Sequence, residues 1–255
     1  MFNNILYSIA ITLTITCSCQ SQTTIDSNRV TQQKQFASSD YKNKSFVIPV
    51  AMVGYGFLTF KPGFFKEINE YANVHITHSP KNASTQLDDL LQFSPAVMVY
   101  GLDLAGIKGK NNVYDQTFIY LMSNLFLNGT VQYFKNNTKI QRPDLSDYRS
   151  FPSGHTAEAF ASAEFLREEY KEKYPWLGYV GYGVAVTTGY LRMYHQKHWV
   201  GDVVTGAGIG LLSTRLSYIL YPLIQKKFTN TKLKHTVMAP NVINNSIGFL
   251  LVHNF

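Results

Sequence analysis

Between Ser45 and Lys226 apolar residues recur at helical spacing, broken by short polar or turn-forming stretches. Phe46 to Phe60 is apolar but interrupted by Pro49, Gly54 and Gly56, and it runs into Lys61-Pro62-Gly63, a turn signal. Phe64 to Ile76 has helical spacing, and Leu87 to Leu104 is a further apolar segment that ends ahead of the break at Asn111-Asn112. Thr117 to Phe134 reads as one long helix whose end delivers Lys135. Its Asn124, Asn128 and Gln132 tell against a lipid-facing span. Over Gly154 to Tyr170, the residues Ala159, Ala163, Leu166 and Tyr170 follow the i, i+4, i+7, i+11 pattern, while Glu158, Glu164, Arg167, Glu168 and Lys171 are polar. That pattern predicts one face in the core and one in water. Trp176 to Tyr194 and Val200 to Leu223 give two more helices, the second with Gly206 and Gly210 one turn apart, small enough for a close helix crossing. No strand alternation occurs before Lys232, so the expected fold is an all-α bundle of about five to seven helices, soluble rather than lipid-embedded.

The two ends break this pattern. Ile5 to Thr16 is an apolar run of signal-peptide length with Ser18 before Cys19, so residues 1–19 are expected to be an export signal or lipoprotein leader. The mature chain would then lie in a bacterial periplasm, free or tethered to the membrane through a lipid on Cys17 or Cys19. Residues 20–44 are Ser, Thr, Gln, Asn, Asp and Lys with few large apolar side chains, the composition of a linker. The helical domain is assigned to residues 45–226. In the tail, 227–255, His235 to Asn241 and Ile247 to Val252 flank Asn244-Asn245-Ser246, which predicts a short β-hairpin or two extended strands.

Composition narrows the function. A chain of 255 residues, 45% hydrophobic, buries one substantial core. The net charge of +7 suits anionic ligands such as phosphate esters or an acidic membrane surface. The basic residues are scattered and no compact nucleic-acid motif is present, which speaks against nucleic acid as a partner. Residues 20–255 contain no cysteine, and so neither a disulfide framework nor a thiolate metal site. Asp88, Asp89 and Asp103 have no His partner nearby and read as solvated helix ends, with no metal expected. His75, His78, His235 and His253 read as surface or structural residues.

The chemistry concentrates around Phe151-Pro152-Ser153-Gly154-His155-Thr156. Pro152 resists continuing a helix, Ser153 is a good N-cap and Gly154 lets backbone approach a ligand, so free N–H groups and the positive end of a helix dipole form an anion site. Lys135, Arg142 and Arg192 supply cations. His155, His198 and Asp202 supply groups that can act on a phosphate. The ordered set Lys-x6-Arg-Pro, Pro-Ser-Gly-His and Arg-x5-His-x3-Asp should arise by chance on the order of once in a million such chains or less.

This set resembles the signature of the type 2 phosphatidic acid phosphatase superfamily, which includes bacterial acid phosphatases, lipid phosphate phosphatases and vanadium haloperoxidases. The motifs span Lys135 to Asp202, and the surrounding helical pattern is similar to the fold of that superfamily. In one departure, Leu191 stands where the family usually has Ser before the third-motif Arg, which removes a hydroxyl donor. The resemblance implies that His198 attacks phosphorus to form a phosphohistidine, that His155 protonates the departing oxygen and then serves as base, and that Lys135, Arg142, Arg192, Ser153 and Gly154 bind the phosphate. The four-residue spacing of His198 and Asp202 independently lets the carboxylate accept from Nδ1–H on one helix face and leave Nε2 free. The resulting expectation is a metal-independent phosphatase without a cofactor. Its substrate would be a phosphomonoester or a lipid phosphate or pyrophosphate at a membrane surface, with vanadate as an inhibitor. The alternatives are a vanadate-dependent haloperoxidase and an inactive phosphate-binding surface protein.

Overall fold

The computed structural model describes residues 43–76, 86–230, 236–243 and 246–253. The expected leader, the candidate lipid sites Cys17 and Cys19, nearly all of the expected linker, His78 and His235 lie outside these residues. After a 3-10 turn, Asn43–Phe46, come eight helices: α1 Val47–Leu58, α2 Phe64–Ile76, α3 Leu87–Leu91, α4 Ser94–Leu104, α5 Val113–Thr138, α6 Gly154–Tyr170, α7 Trp176–Tyr194 and α8 Val200–Asn230. An antiparallel hairpin follows, β1 Thr236–Ile243 and β2 Ser246–His253, in register from Thr236↔His253 to Ile243↔Ser246. The all-α bundle with a hairpin tail is therefore the observed fold. Its last helix runs four residues past the expected domain end. The expected apolar segment 87–104 is two helices, separated at Gln92-Phe93, with Pro95 in the first turn of the second.

Helix α6 is the centre of the bundle, with α4, α5, α7 and α8 packed around it. Ala157, Ala159, Ala161 and Ala163 have no exposed surface, and they leave room for neighbours to approach closely on every side. The expected wet face of α6 does not exist. Glu158, Glu164, Glu168 and Glu169 are all buried, and each meets partners contributed by distant segments or by its own helix. Glu164 is bound by Arg167, Arg215 and Tyr182. Glu169 accepts from the Asn111 backbone and side chain, Gln116 and Tyr218. Glu158 accepts from Tyr120 at 2.5 Å, and Glu168 pairs with Arg167 and Lys171. Buried charge of this kind persists only when paired, which is why these acids mark packing partners and not solvent.

Close helix crossings hold the top of the bundle. A Cβ on Gly206 would lie 2.4 Å from the Ser153 carbonyl oxygen, and one on Gly210 would lie 2.2 Å from that of Ala157, so α8 crosses α6 backbone to backbone. Among the described residues one helix, over Val200–Lys226, is long and apolar enough to cross a membrane, and 61% of its most apolar window is buried inside the protein. Its buried Ser213, Thr214 and Ser217 are hydrogen-bonded within the bundle, the arrangement of a core helix.

Candidate functional site

Three segments meet above the N-terminus of α6: the end of α5 with the loop 139–153, the start of α6, and the turn 195–199 leading into α8. Ser153 caps α6, its Oγ accepting from Thr156 N at 3.4 Å and sharing a 2.9 Å hydrogen bond with Thr156 Oγ1. Gly154 opens the helix. A Cβ there would meet only Val131 at an ordinary 3.7 Å, so protein packing does not demand the glycine. The loop is stapled to the turn by Asp144 N–H to Gln196 O at 3.1 Å, by the Lys197–Asp144 ion pair at 2.7 Å, and by Trp199 Nε1–H to Gln141 O at 2.8 Å. These bonds bring Arg142 to His198.

Asp202 knots the three segments together, though not in the way the spacing suggested. Helix α8 begins at Val200, so His198 lies in the preceding turn and the pair does not share a helix face. From the third helical position Asp202 reaches back to the N–H of Trp199 at 2.9 Å, as in a capping box, and the same Oδ2 accepts from Ser150 Oγ at 2.5 Å. The Asp202 carbonyl accepts from Ser153 N at 3.0 Å. With Oδ2 so engaged, His198 Nδ1 stands 3.5 Å away and makes no hydrogen bond. Its nearest carboxylate still favours the tautomer with hydrogen on Nδ1 and a lone pair on Nε2.

Burial lowers the pKa of His198 well below the imidazole value, and Lys135, Arg192, Arg142 and His155 all press on it in the same direction. His198 is 2% exposed. Burial, reinforced by Arg142, lowers Lys135 to about 8, with its Nζ donating to Arg149 O at 2.7 Å. Burial raises Asp202 to about 6 against the pull of Ser150, Trp199 N–H and the cations. Arg142 Nε lies 2.9 Å from Asp147 Oδ1, an ion pair out of hydrogen-bond alignment, and Arg192 Nη1 donates to Asp88 at 2.5 Å. Arg142 Nε, Arg192 Nε and His198 Nδ1 are thus buried polar atoms without hydrogen-bond partners, and both guanidiniums act on His198.

All eight residues expected from the motifs lie in or against this cluster. Leu191, one residue before Arg192, is partly buried at the end of α7. His75 is exposed, with Nδ1 on Tyr71 O, as expected of a surface residue. Spacing did not reveal Ser150, whose only local signal is its place beside the second motif. Nor did it reveal the carboxylates of α3. Asp88 is 1% exposed and bound to Arg192, and Asp103 is buried and accepts from Gly109 N at 3.0 Å, so neither is the solvated helix end that was expected. Asp89 is exposed, yet its Oδ1 sits 2.6 Å from His155 Nε2. Among the described residues no three His, Cys, Asp or Glu side chains gather so as to hold a metal ion.

Residues 116–226 match the model of the PAP2 superfamily, and this segment carries every motif residue from Lys135 to Asp202. A lipid A 1-phosphatase of Porphyromonas gingivalis is 33% identical over 170 residues, which is 64% of this chain and 38% of that protein. The chain therefore spans well under half the length of the curated relative it matches. Among solved structures, Aquifex aeolicus LpxE overlaps 59% of this chain and 94% of its own, at 23% identity and a TM-score of 0.43. A transmembrane PAP2 type phosphatidylglycerolphosphate phosphatase from Bacillus subtilis overlaps 72% and 98%, at 19% identity and a TM-score of 0.41. Neither superposition is close enough to bear on activity.

Proposed function

We propose that the protein is a phosphatase that removes phosphate from a lipid-borne phosphate ester outside the cytoplasm, without a metal, through a phosphohistidine on His198. The observation that carries this reading is the buried His198, whose pKa burial and the neighbouring Lys135, Arg192 and Arg142 hold well below the imidazole value, with a second histidine within electrostatic reach. Binding a phosphate would need only the cations. A buried imidazole held neutral beside a carboxylate adds a nucleophile.

In the proposed reaction the cations and the N–H groups at the start of α6 hold the non-bridging oxygens, where charge develops in the transition state. The Nε2 lone pair of His198 forms the N–P bond as the P–O bond to the leaving group breaks. His155 gives that oxygen its proton. Neutral His155 then takes a proton from water as the water oxygen attacks phosphorus, the N–P bond breaks, and inorganic phosphate leaves. Asp202 offsets the positive charge that His198 acquires, and their 3.5 Å contact is expected to tighten as that charge forms.

A lipid substrate is supported by the P. gingivalis relative, a lipid A 1-phosphatase, and by the surface around the site. Phe57 and Leu58 at the end of α1 and Phe64 and Phe65 at the start of α2 are exposed apolar residues. Between these helices Thr59, Phe60, Lys66 and Asn69 line a cavity of about 240 Å³ that reaches Trp199 and Asp202. An apolar rim with Lys61 and Lys66 beside it suits a domain resting on an anionic membrane surface and taking phosphate from a head group. The test is phosphate release from a soluble aryl phosphate, phosphatidic acid, an isoprenyl pyrophosphate and phosphorylated lipid A in liposomes, each with wild type and His198→Ala. The proposal expects the highest kcat/KM on a liposomal lipid phosphate and none with the variant. Halide oxidation by peroxide after vanadate loading, with no phosphate release from any substrate, would overturn it.

A further inference from the structure

Two histidine–carboxylate pairs meet at this site, and the motifs account for one of them. The second joins His155 on α6 to Asp89 on α3, with Nε2 and Oδ1 2.6 Å apart. Its geometry is opposite to that of the nucleophile. His198 is buried and makes no hydrogen bond to its carboxylate. His155 is partly exposed and is in hydrogen-bond contact with its carboxylate, the arrangement that favours an imidazolium. Helix α3 is only five residues long, and what fixes it over the site is the buried ion pair of the adjacent Asp88 with Arg192, at 2.5 Å. Consecutive carboxylates thus grip one residue from α7 and one from α6, and the first grip places the second.

We propose that Asp89 is the positioning residue for the general acid: it accepts from Nε2–H of His155, turns the other ring nitrogen toward the leaving-group oxygen, and keeps the ring protonated until the ester bond breaks. The inference rests on the assignment of His155 as the acid. The charged groups that bear on His155 are Arg192 from α7, which opposes its protonation, and Asp89 and Asp88 from α3, which favour it. Burial opposes it most, and burial and Arg192 together hold the pKa below 6.5 even with both carboxylates in place, so without them nothing in the site would hold a proton on His155. His198, the other titratable group within reach, is neutral and adds no charge in the resting site. After the proton leaves, Nδ1 has the lone pair required to activate water, while Nε2–H remains on Asp89.

The test compares full-length wild type, Asp89→Asn, Asp89→Glu and His155→Ala on 4-nitrophenyl phosphate and hexyl phosphate across pH, together with the ring titration of His155 followed by NMR. His155→Ala is the reference: it must lose more on the alkyl ester than on the nitrophenyl ester, and if it does not, the acid assignment fails and this inference with it. Given that result, Asp89→Asn should lose about tenfold on hexyl phosphate and little on nitrophenyl phosphate, a tenth or less of the effect a general acid can supply. The basic limb of kcat/KM and the His155 titration should both move down by about one pH unit, a modest shift because the pair is half in water. Asp89→Glu should restore much of both. Unchanged titration, equal loss on the two esters, or a lower KM with an unmoved pH profile, as expected if Asp89 merely plugged the site, would overturn the proposal while leaving the acid assignment intact.

Discussion

Substituting Gly206 by Ala perturbs the crossing on which the whole site rests. The new Cβ would lie 2.4 Å from the Ser153 carbonyl oxygen and 3.3 Å from Ala157 N and Thr156 Cβ. Ordinary contact begins near 3.4 Å, so α8 and the first turn of α6 must part by about 1 Å. Overpacking of this kind costs about 1–3 kcal/mol, and the better helix propensity of Ala returns up to about 1 kcal/mol, so a net loss of about 1–2 kcal/mol is expected. At about 2–4 °C per kcal/mol for a domain of this size, Tm should fall by roughly 2–8 °C. Activity should suffer more than stability. The first turn of α6 carries Ser153, Gly154 and His155, and the first turn of α8 carries Asp202, so a 1 Å separation misaligns acid and nucleophile and should lower kcat/KM about 100-fold. Gly129→Ala is the control. It sits on the exposed side of α5 with nothing within 4 Å of an added Cβ, and should gain about 0.5–1 kcal/mol with unchanged activity. Thermal melts and aryl-phosphate hydrolysis of the three proteins decide the matter. A Gly206→Ala protein that melts at or above wild type and keeps full activity would refute the close crossing.

Other outcomes follow from the charges. Because the pKa of His198 is held well below 6.5 by burial and the site cations, its acid limb in kcat/KM should lie far to the acid side. His155, lowered from 6.5 by burial and Arg192, must keep its proton, so activity should decline as pH rises through a value below 6.5, and further as Lys135 loses charge near 8. The limbs belong to the coupled pair, and an optimum at or above pH 8 would contradict the assignment of acid and nucleophile. Orthovanadate should inhibit competitively by occupying the cation cluster as a trigonal-bipyramidal adduct on His198, whereas chelators should leave activity unchanged; activity lost to a chelator and regained with zinc or magnesium would contradict this. Glu164→Ala takes the carboxylate from Arg215 inside the bundle and leaves Arg167 with Glu168 alone, and should cost about 3–5 kcal/mol in urea unfolding; a cost below about 1 kcal/mol would show that the Glu164 carboxylate is not structural.

Much of this site could be read from the chain because its parts are local. The Pro-Ser-Gly-His stretch encodes its own cap, and the ends of α2, α6 and α7 fall where the apolar spacing stops. Gly206 and Gly210 announced the crossing they make. What could not be read depends on partners far away in sequence. Glu164 looks like a wet-face residue until Arg215, 51 positions later, folds against it, and Asp88 looks solvated until Arg192, 104 positions later, arrives. Charge spacing along one helix carries no information about such partners. The His198–Asp202 spacing misled for a different reason. A four-residue interval places side chains on one face only inside a helix, and α8 starts between the two, with Asp202 engaged by Trp199 N–H and Ser150.

The central claim is that His198 is the nucleophile, and trapping the covalent intermediate tests it most directly. His155→Ala protein mixed with 4-nitrophenyl phosphate bypasses the need for an acid but lacks the base for hydrolysis, so the phosphoenzyme should accumulate. Quenching at alkaline pH in denaturant, followed by peptide mass spectrometry, should place an acid-labile, base-stable phosphate on His198, and the label should vanish when His198→Ala is added. A phosphate found on another residue, or a His198→Ala protein that hydrolyses the ester at the wild-type rate, would contradict the account.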